Sequence, residues 1–133
     1  MDKYLFSEES YNKDYNSDNA FGETYGEHRE YLELSPEELK VVKKACHDNG
    51  VLFKCTPFDE PSLDLLMSLD VDILKLASFD LGNLAFIDIV SKTGKPIVMS
   101  VGGGNSDEIK SSINQIEKYH DNMAVLHCVS ECE

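Results

Sequence analysis

From Ser35 onward, short apolar runs alternate with longer stretches whose apolar positions recur three or four residues apart, and Pro, Gly, Ser and Asn stand at the junctions. This is the pattern of buried strands separated by amphipathic helices. Ser35-Pro36-Glu37-Glu38 reads as a capping box with proline at the first helical position. Leu39, Val42 and Cys46 share a face of the helix it opens, and Asn49-Gly50 ends that helix. Val51 to Cys55 predicts a strand, and Thr56-Pro57-Phe58-Asp59-Glu60 the loop beyond it. Pro61 and Ser62 open a helix with Leu63, Leu66 and Met67 inward. Asp72 to Ala77 predicts a second strand, followed by the loop Ser78 to Gly82. Asn83 to Lys92 reads as a helix that Gly94 stops. Pro96 to Val101 predicts a third strand and Gly102-Gly103-Gly104-Asn105 a turn. Ser106 then caps a helix in which Ile109, Ile113 and Ile116 share a face, and Met123 to Cys128 is the last strand.

The order is a helix, then strand–helix three times, then a strand. Such regular alternation predicts an α/β fold with a parallel sheet of βα repeats, since each crossover must return the chain on the same side. An open doubly wound sheet and part of a (β/α)₈ barrel both fit; a closed barrel typically takes about 250 residues. The residues before Arg29 show no period of 3.6 or 2 and read as extended or loop-like. Their aromatics (Tyr4, Phe6, Tyr11, Tyr15, Phe21 and Tyr25) are too many for a free tail and predict packing, with a partner subunit as one candidate. We divide the chain into an acidic, aromatic-containing segment, 1–24, and a βα-repeat domain, 25–133.

At 133 residues with 41% hydrophobic positions, the chain is long enough for one domain with a real core. A net charge of −13 argues against binding a nucleic-acid backbone or an anionic membrane, and would repel an anionic ligand unless donors cluster locally. No apolar stretch is long enough to span a bilayer and the N-terminal residues lack a signal-peptide core, so a cytoplasmic location is expected. Cys46, Cys55, Cys128 and Cys132 form no paired CxxC pattern and are expected as free thiols. A zinc site from His127, Cys128 and Cys132 lacks a standard ligand spacing.

The candidate chemistry lies at the strand ends. Lys75, inside the apolar run Asp72 to Ala77, needs an anionic partner, a lost proton or a route for its ammonium to water. Each predicted strand ends in a hydroxyl residue followed by turn-formers: Thr56, Ser78, Ser100 and Ser130. In a parallel sheet these ends face the same way, so hydroxyl donors converge with the Lys75 ammonium into a cradle for a phosphate or carboxylate. Singly, each hydroxyl is more often a cap or turn former. The glycines 102–104 suit a flexible turn or backbone contact with phosphate. Lys54 either shares the cradle's charge or marks an exposed strand face. His127 reads as a satisfied core residue, and Asp59, Glu60 and Asp80 as solvated loop carboxylates.

Five ordered motifs carry a family resemblance. Tyr25 to Leu34 (YGEHREYLEL), Cys55-Thr56-Pro57-Phe58-Asp59, Leu74 to Asp80 (LKLASFD), Thr93 to Ser100 (TGKPIVMS) and Leu126 to Ser130 (LHCVS) resemble sialic acid synthases, the N-acetylneuraminate, legionaminate and pseudaminate synthases. The resemblance runs from about Gly22 to Glu131. It implies part of a (β/α)₈ barrel that condenses phosphoenolpyruvate with an N-acylated amino sugar, giving a nine-carbon 2-keto sugar acid and phosphate. It implies that Thr56, Lys75, Ser78 and Ser100 hold phosphoenolpyruvate, and that Ser130 lies near the substrate. It also implies a divalent cation, Mn²⁺ or Mg²⁺, whose histidine ligands come from strands after the Leu126 segment and have no match in these residues. A further lysine strand expected before Tyr25 has no match either. Cys132 stands where the family usually has tyrosine, and Ser100-Val101-Gly102-Gly103 replaces its Ser-Thr-Gly-Met. Two expectations follow: a piece of such an enzyme, completed by oligomerisation or a complementing chain because a half barrel exposes two sheet edges; or a non-catalytic remnant that binds phosphoenolpyruvate or a partner.

Overall fold

The computed structural model describes residues 7–129, which fall into two compact units divided between Val42 and Lys43. Ser130 and Cys132 lie outside the described residues.

The first unit is more helical than its sequence suggests. Helix α1 (Glu8–Tyr11) is capped by Ser7, whose hydroxyl accepts from the Ser10 N–H. Helix α2 (Tyr25–Leu32) corrects the loop-like reading of the residues up to Arg29. Its signal is a capping box: Thr24 Oγ1 accepts from the Glu27 N–H at 3.2 Å, and Glu27 Oε2 accepts from the Thr24 N–H at 3.3 Å. The box is visible in the sequence, but no apolar run of helical period follows it. The described aromatics of this unit pack on one another, whereas Tyr4 and Phe6 lie outside the described residues. Tyr15 lies edge-on to Tyr25 at 5.7 Å and tilted against His28 at 4.5 Å, and Phe21 stacks on Tyr31 at 4.6 Å. His28 is buried and its Nδ1 accepts from the Phe21 N–H. The Tyr11 ring lies so close to Gly26 that a Cβ there would stand 2.3 Å from it.

Helix α3 (Pro36–Asp48) runs across the division between the units; its last residues, from Lys43, open the second. The second unit then follows the predicted order: β1 (Lys54–Cys55), α4 (Glu60–Ser68), β2 (Ile73–Leu76), α5 (Leu84–Lys92), β3 (Ile97–Ser100), α6 (Ser106–Glu117) and β4 (Met123–Leu126). Every strand is shorter than its apolar run, most of all β1, because only residues paired in the ladder count as strand. Asn105, not Ser106, caps α6: its side chain accepts from the Asp107 and Glu108 N–H groups. Gly50 and Gly94 follow α3 and α5 with φ of +70° and +71°, the left-handed conformation that glycine takes at little cost.

The four strands pair in parallel in the order β1-β2-β3-β4. A parallel crossover is right-handed, so strands laid down in sequential order carry all their helices on one face. A doubly wound sheet reverses its strand order and covers both faces. Burial follows the singly wound arrangement. Leu74, Leu76, Ile97 and Met99, which register aligns on one face, are at most 1% exposed and pack into a core with Leu63, Leu66, Ile87, Val90 and Ile116. The alternate residues Ile73, Lys75 and Val98 face the other side and are half-buried, and Ala124 and Leu126 there are exposed. The result is an α/β sheet of partial-barrel type, with β1 and β4 as its edges among the described residues. Leu126 is 39% exposed.

The N-terminal end of the sheet is tied by charge. Asp72 Oδ2 accepts from the Phe53 N–H at 2.7 Å and lies 2.7 Å from His47 Nε2, joining α3 to the chain entering β1 and β2. Lys43 Nζ donates to the Leu69 and Asp70 carbonyls, and Lys95 Nζ pairs with Asp70 at 2.6 Å. Asp70 itself takes φ of +52°, which a short polar side chain tolerates at a helix end. These partners hold the Asp70 and Asp72 carboxyls below the ordinary range, first through their hydrogen bonds to Lys95 and His47.

Gly26→Ala should displace the Tyr11 ring and cost about 1–3 kcal/mol, read from the ring's NMR signals and from thermal unfolding. Asp72 has a depressed folded pKa, so its contribution is present above the ordinary carboxylate pKa and is lost as pH falls through the folded one. Asp72→Asn should therefore lower the unfolding midpoint at pH 7, and the gap to the native chain should close as pH falls through the depressed pKa of Asp72.

Candidate anion site at the strand ends

Register brings three of the predicted residues together. Cys55 pairs with Leu74, so Thr56, one residue further on, comes level with Lys75. Lys75 pairs with Val98 and Leu76 with Met99, so Ser100 comes level with Ala77. Thr56, Lys75 and Ser100 thus share the open face, at the C-terminal ends of three adjacent strands, where α/β folds place their ligands. Thr56 and Lys75 are half-buried, and Ser100 is 4% exposed.

Ser78 opens the single 3₁₀ turn Ser78–Asp80 that follows β2. Its Oγ accepts from the Gly102 N–H at 3.0 Å, which ties the loop after β2 to the loop after β3. A hydroxyl that accepts there keeps its own proton to donate elsewhere. The same bond occupies the Gly102 N–H, so the glycine turn works first as a seam between loops. Gly104 continues the seam: a Cβ there would stand 1.8 Å from the end of the Leu81 side chain.

The Lys75 ammonium makes no ion pair within 4.0 Å among the described residues. Its charge acts through space on Asp80. Asp80 corrects the expectation of a solvated loop carboxylate: it is 1% exposed, and its Oδ2 is buried with no hydrogen-bond partner. Burial pushes its pKa up to about 6, against the opposing pull of a hydrogen bond from the Ala77 backbone and of the Lys75 charge. The loop that carries it is held on both sides, by the Ser78–Gly102 bond and by the Gly82 N–H donating to the buried Ser112 hydroxyl at 3.1 Å. Only a weak signal in the sequence pointed there: an acid two residues past the strand-end serine.

Other candidates disperse. His127 is exposed just beyond β4, not a core residue. Lys54 is exposed, on the same face as Lys75 by register. Asp59 caps α4, accepting from the Ser62 N–H at 2.7 Å, and Glu60 is exposed in that helix's first turn. Cys46 and Cys128 are free thiols. The sequence reading missed Phe58 and Phe79, whose rings lie 6.1 Å apart on the loops after β1 and β2, with Phe79 71% exposed. Bulky apolar residues in otherwise polar loops were the available signal. Among the described residues, no group of three or more His, Cys, Asp or Glu is placed to hold a metal ion. No helix among them is long and apolar enough to cross a membrane.

Comparison with known proteins identifies the family. The model of the NeuB family matches residues 2–132. The N-acetylneuraminate-9-phosphate synthase of Mus musculus is 28% identical over 128 residues, 96% of this chain and 36% of that protein. The N,N'-diacetyllegionaminic acid synthase of Legionella pneumophila is 31% identical over 104 residues, 74% of this chain and 29% of that protein. The chain thus spans about a third of the length of the curated relatives it matches. Among solved structures, the N-acetylneuraminic acid synthetase of Leptospira borgpetersenii, in complex with citrate, superposes with a TM-score of 0.74 at 30% identity, covering 84% of this chain and 40% of that one. Motifs, singly wound parallel sheet and family match converge: the chain belongs to the NeuB family.

Proposed function

We propose that this chain forms the phosphoenolpyruvate-holding part of a nonulosonic acid synthase, which condenses phosphoenolpyruvate with an N-acylated amino sugar and releases phosphate. The observation that carries the reading is the half-buried Lys75 ammonium, without an ion-pair partner within 4.0 Å among the described residues, at strand ends where Thr56, Ser78 and Ser100 lie in adjoining positions. Lys75 supplies a point charge for phosphate or carboxylate, and the hydroxyls supply donors that fix the orientation of the anion. Their part in the reaction is positioning the enol and neutralising the charge that leaves as phosphate. Ser130, close behind β4, is proposed to stand near the same substrate.

The family's divalent cation, Mn²⁺ or Mg²⁺, receives no residue here, since the described residues offer no cluster that fits one. The amino sugar is proposed to meet the anion over the open face of the sheet. That face and the two edge strands are proposed to be covered by further βα units or a second copy, an arrangement that would leave no unpaired edge. The same features support a second reading, a module that binds phosphoenolpyruvate without condensing it.

Titration with phosphoenolpyruvate, followed by calorimetry or NMR, tests the cradle. Lys75→Met keeps the aliphatic stem and removes the charge, and should weaken binding at least tenfold; an unchanged affinity would sink the assignment of Lys75. Phosphate release from phosphoenolpyruvate, an N-acylated amino sugar and Mn²⁺, assayed after the further βα units are supplied as a second chain, separates the two readings. Release favours a synthase, whereas binding without release favours the module.

A further inference from the structure

We infer that Asp80 is a positioning residue of the anion site: it holds the Lys75 ammonium by charge while the site is empty, and takes up one proton from solvent when a dianion binds there. The inference rests on reading Thr56, Lys75, Ser78 and Ser100 as an anion cradle.

Asp80 sits two residues past Ser78, in a turn pinned to the β3 loop and to α6. Its carboxyl is shut from water and its Oδ2 has no donor. A buried carboxylate with an unfilled lone pair is costly, and here a nearby lysine charge offsets part of that cost. Lys75, for its part, forms no ion pair within 4.0 Å among the described residues. An anion arriving at Lys75 would meet the negative charge of Asp80 in a site poorly screened by water. Protonating Asp80 removes that repulsion, and burial has already brought its pKa up to about 6, within easy reach of neutral pH.

The other charged groups around this end of the sheet do not substitute for it. On α6, Glu108 Oε2 is bound to the Asn105 N–H, and Asp107 is exposed in the first turn. On the β1 side, Asp59 is held by the Ser62 N–H, Glu60 is exposed, and Lys54 is exposed two residues before Thr56, level with Ile73. His127 is exposed beyond β4. Of all of them, Lys75 is the group whose charge acts on Asp80.

Sulfate is the probe, because it stays a dianion throughout the pH range of interest. Calorimetric titration of the full chain at pH 7, in buffers of different ionisation enthalpy, should report uptake of roughly half a proton or more per sulfate bound. Affinity should fall roughly tenfold between pH 5.5 and pH 8. In Asp80→Asn the uptake should vanish, and affinity at pH 8 should approach that of the native chain at pH 5.5. This variant retains all the histidines, so the difference isolates Asp80. As a readout independent of any variant, the Asp80 carboxyl ¹³C signal should move to its protonated value when sulfate is added to the native chain at pH 7. Sulfate binding that Lys75→Met abolishes, but that carries no proton uptake and no carboxyl shift, overturns this inference and leaves the cradle standing. No sulfate binding, or binding that survives Lys75→Met, overturns the cradle and this inference with it.

Discussion

The handedness of the parallel crossover governs the second unit. Each strand of β1 to β4 pairs with its sequence neighbour, and each connection between them passes through a helix. Because such connections turn right-handed, the helices must all fall on one side of the sheet. Side chains then divide by parity. Leu74, Leu76, Ile97 and Met99 enter the helix-covered core, whereas Lys75, Val98 and Ser100 turn to the side without helices. A lysine in a central strand is tolerable only on that side. One residue earlier or later, it would stand among side chains with essentially no exposure to water.

The loops at the C-terminal ends of the strands are as fixed as the strands themselves. Ser78 Oγ holds the Gly102 N–H, Ser112 Oγ holds the Gly82 N–H, and Leu81 fills the space that a Gly104 side chain would need. All three links end on glycines, and two of them are hydrogen bonds between residues far apart in sequence, so they hold the 3₁₀ turn in one conformation without a large apolar contact. Within it sits Asp80, the one polar group of the site that breaks the rule that buried carboxyls find donors. Local rules are broken where function demands it more often than elsewhere. By contrast, the carboxylates that lead into β2 at the opposite end of the sheet are paired, Asp72 with His47 and Asp70 with Lys43 and Lys95, as suits a stabilising face.

Net charge and site charge pull against each other. A chain carrying −13 repels anions at long range, but salt screens exposed charges beyond about 8–10 Å. At the C-terminal ends of β1 to β3 the local charge is set instead by the Lys75 ammonium and the buried Asp80 carboxyl on which it acts.

Read from its residues alone, the chain determined its element order from Ser35 onward, the parallel sheet and the candidate cradle residues. Apolar runs, capping residues and helix-ending glycines are local signals, and local physics suffices to read them. Lys75, Thr56, Ser78 and Ser100 could be singled out because strand ends in a parallel sheet face one way. Three things were decided only by tertiary structure. The choice between a singly and a doubly wound sheet depends on which strands pair, and pairing partners leave no local mark. The helicity of Tyr25–Leu32 rests on a capping box and on the Tyr11 ring over Gly26, not on periodicity. The burial of Asp80 arises where the loops after β2 and β3 close over it through Ser78 and Gly102, residues 24 positions apart. Solvent exposure is a property of the packed whole, and for a short polar loop the sequence contains nothing from which to compute it.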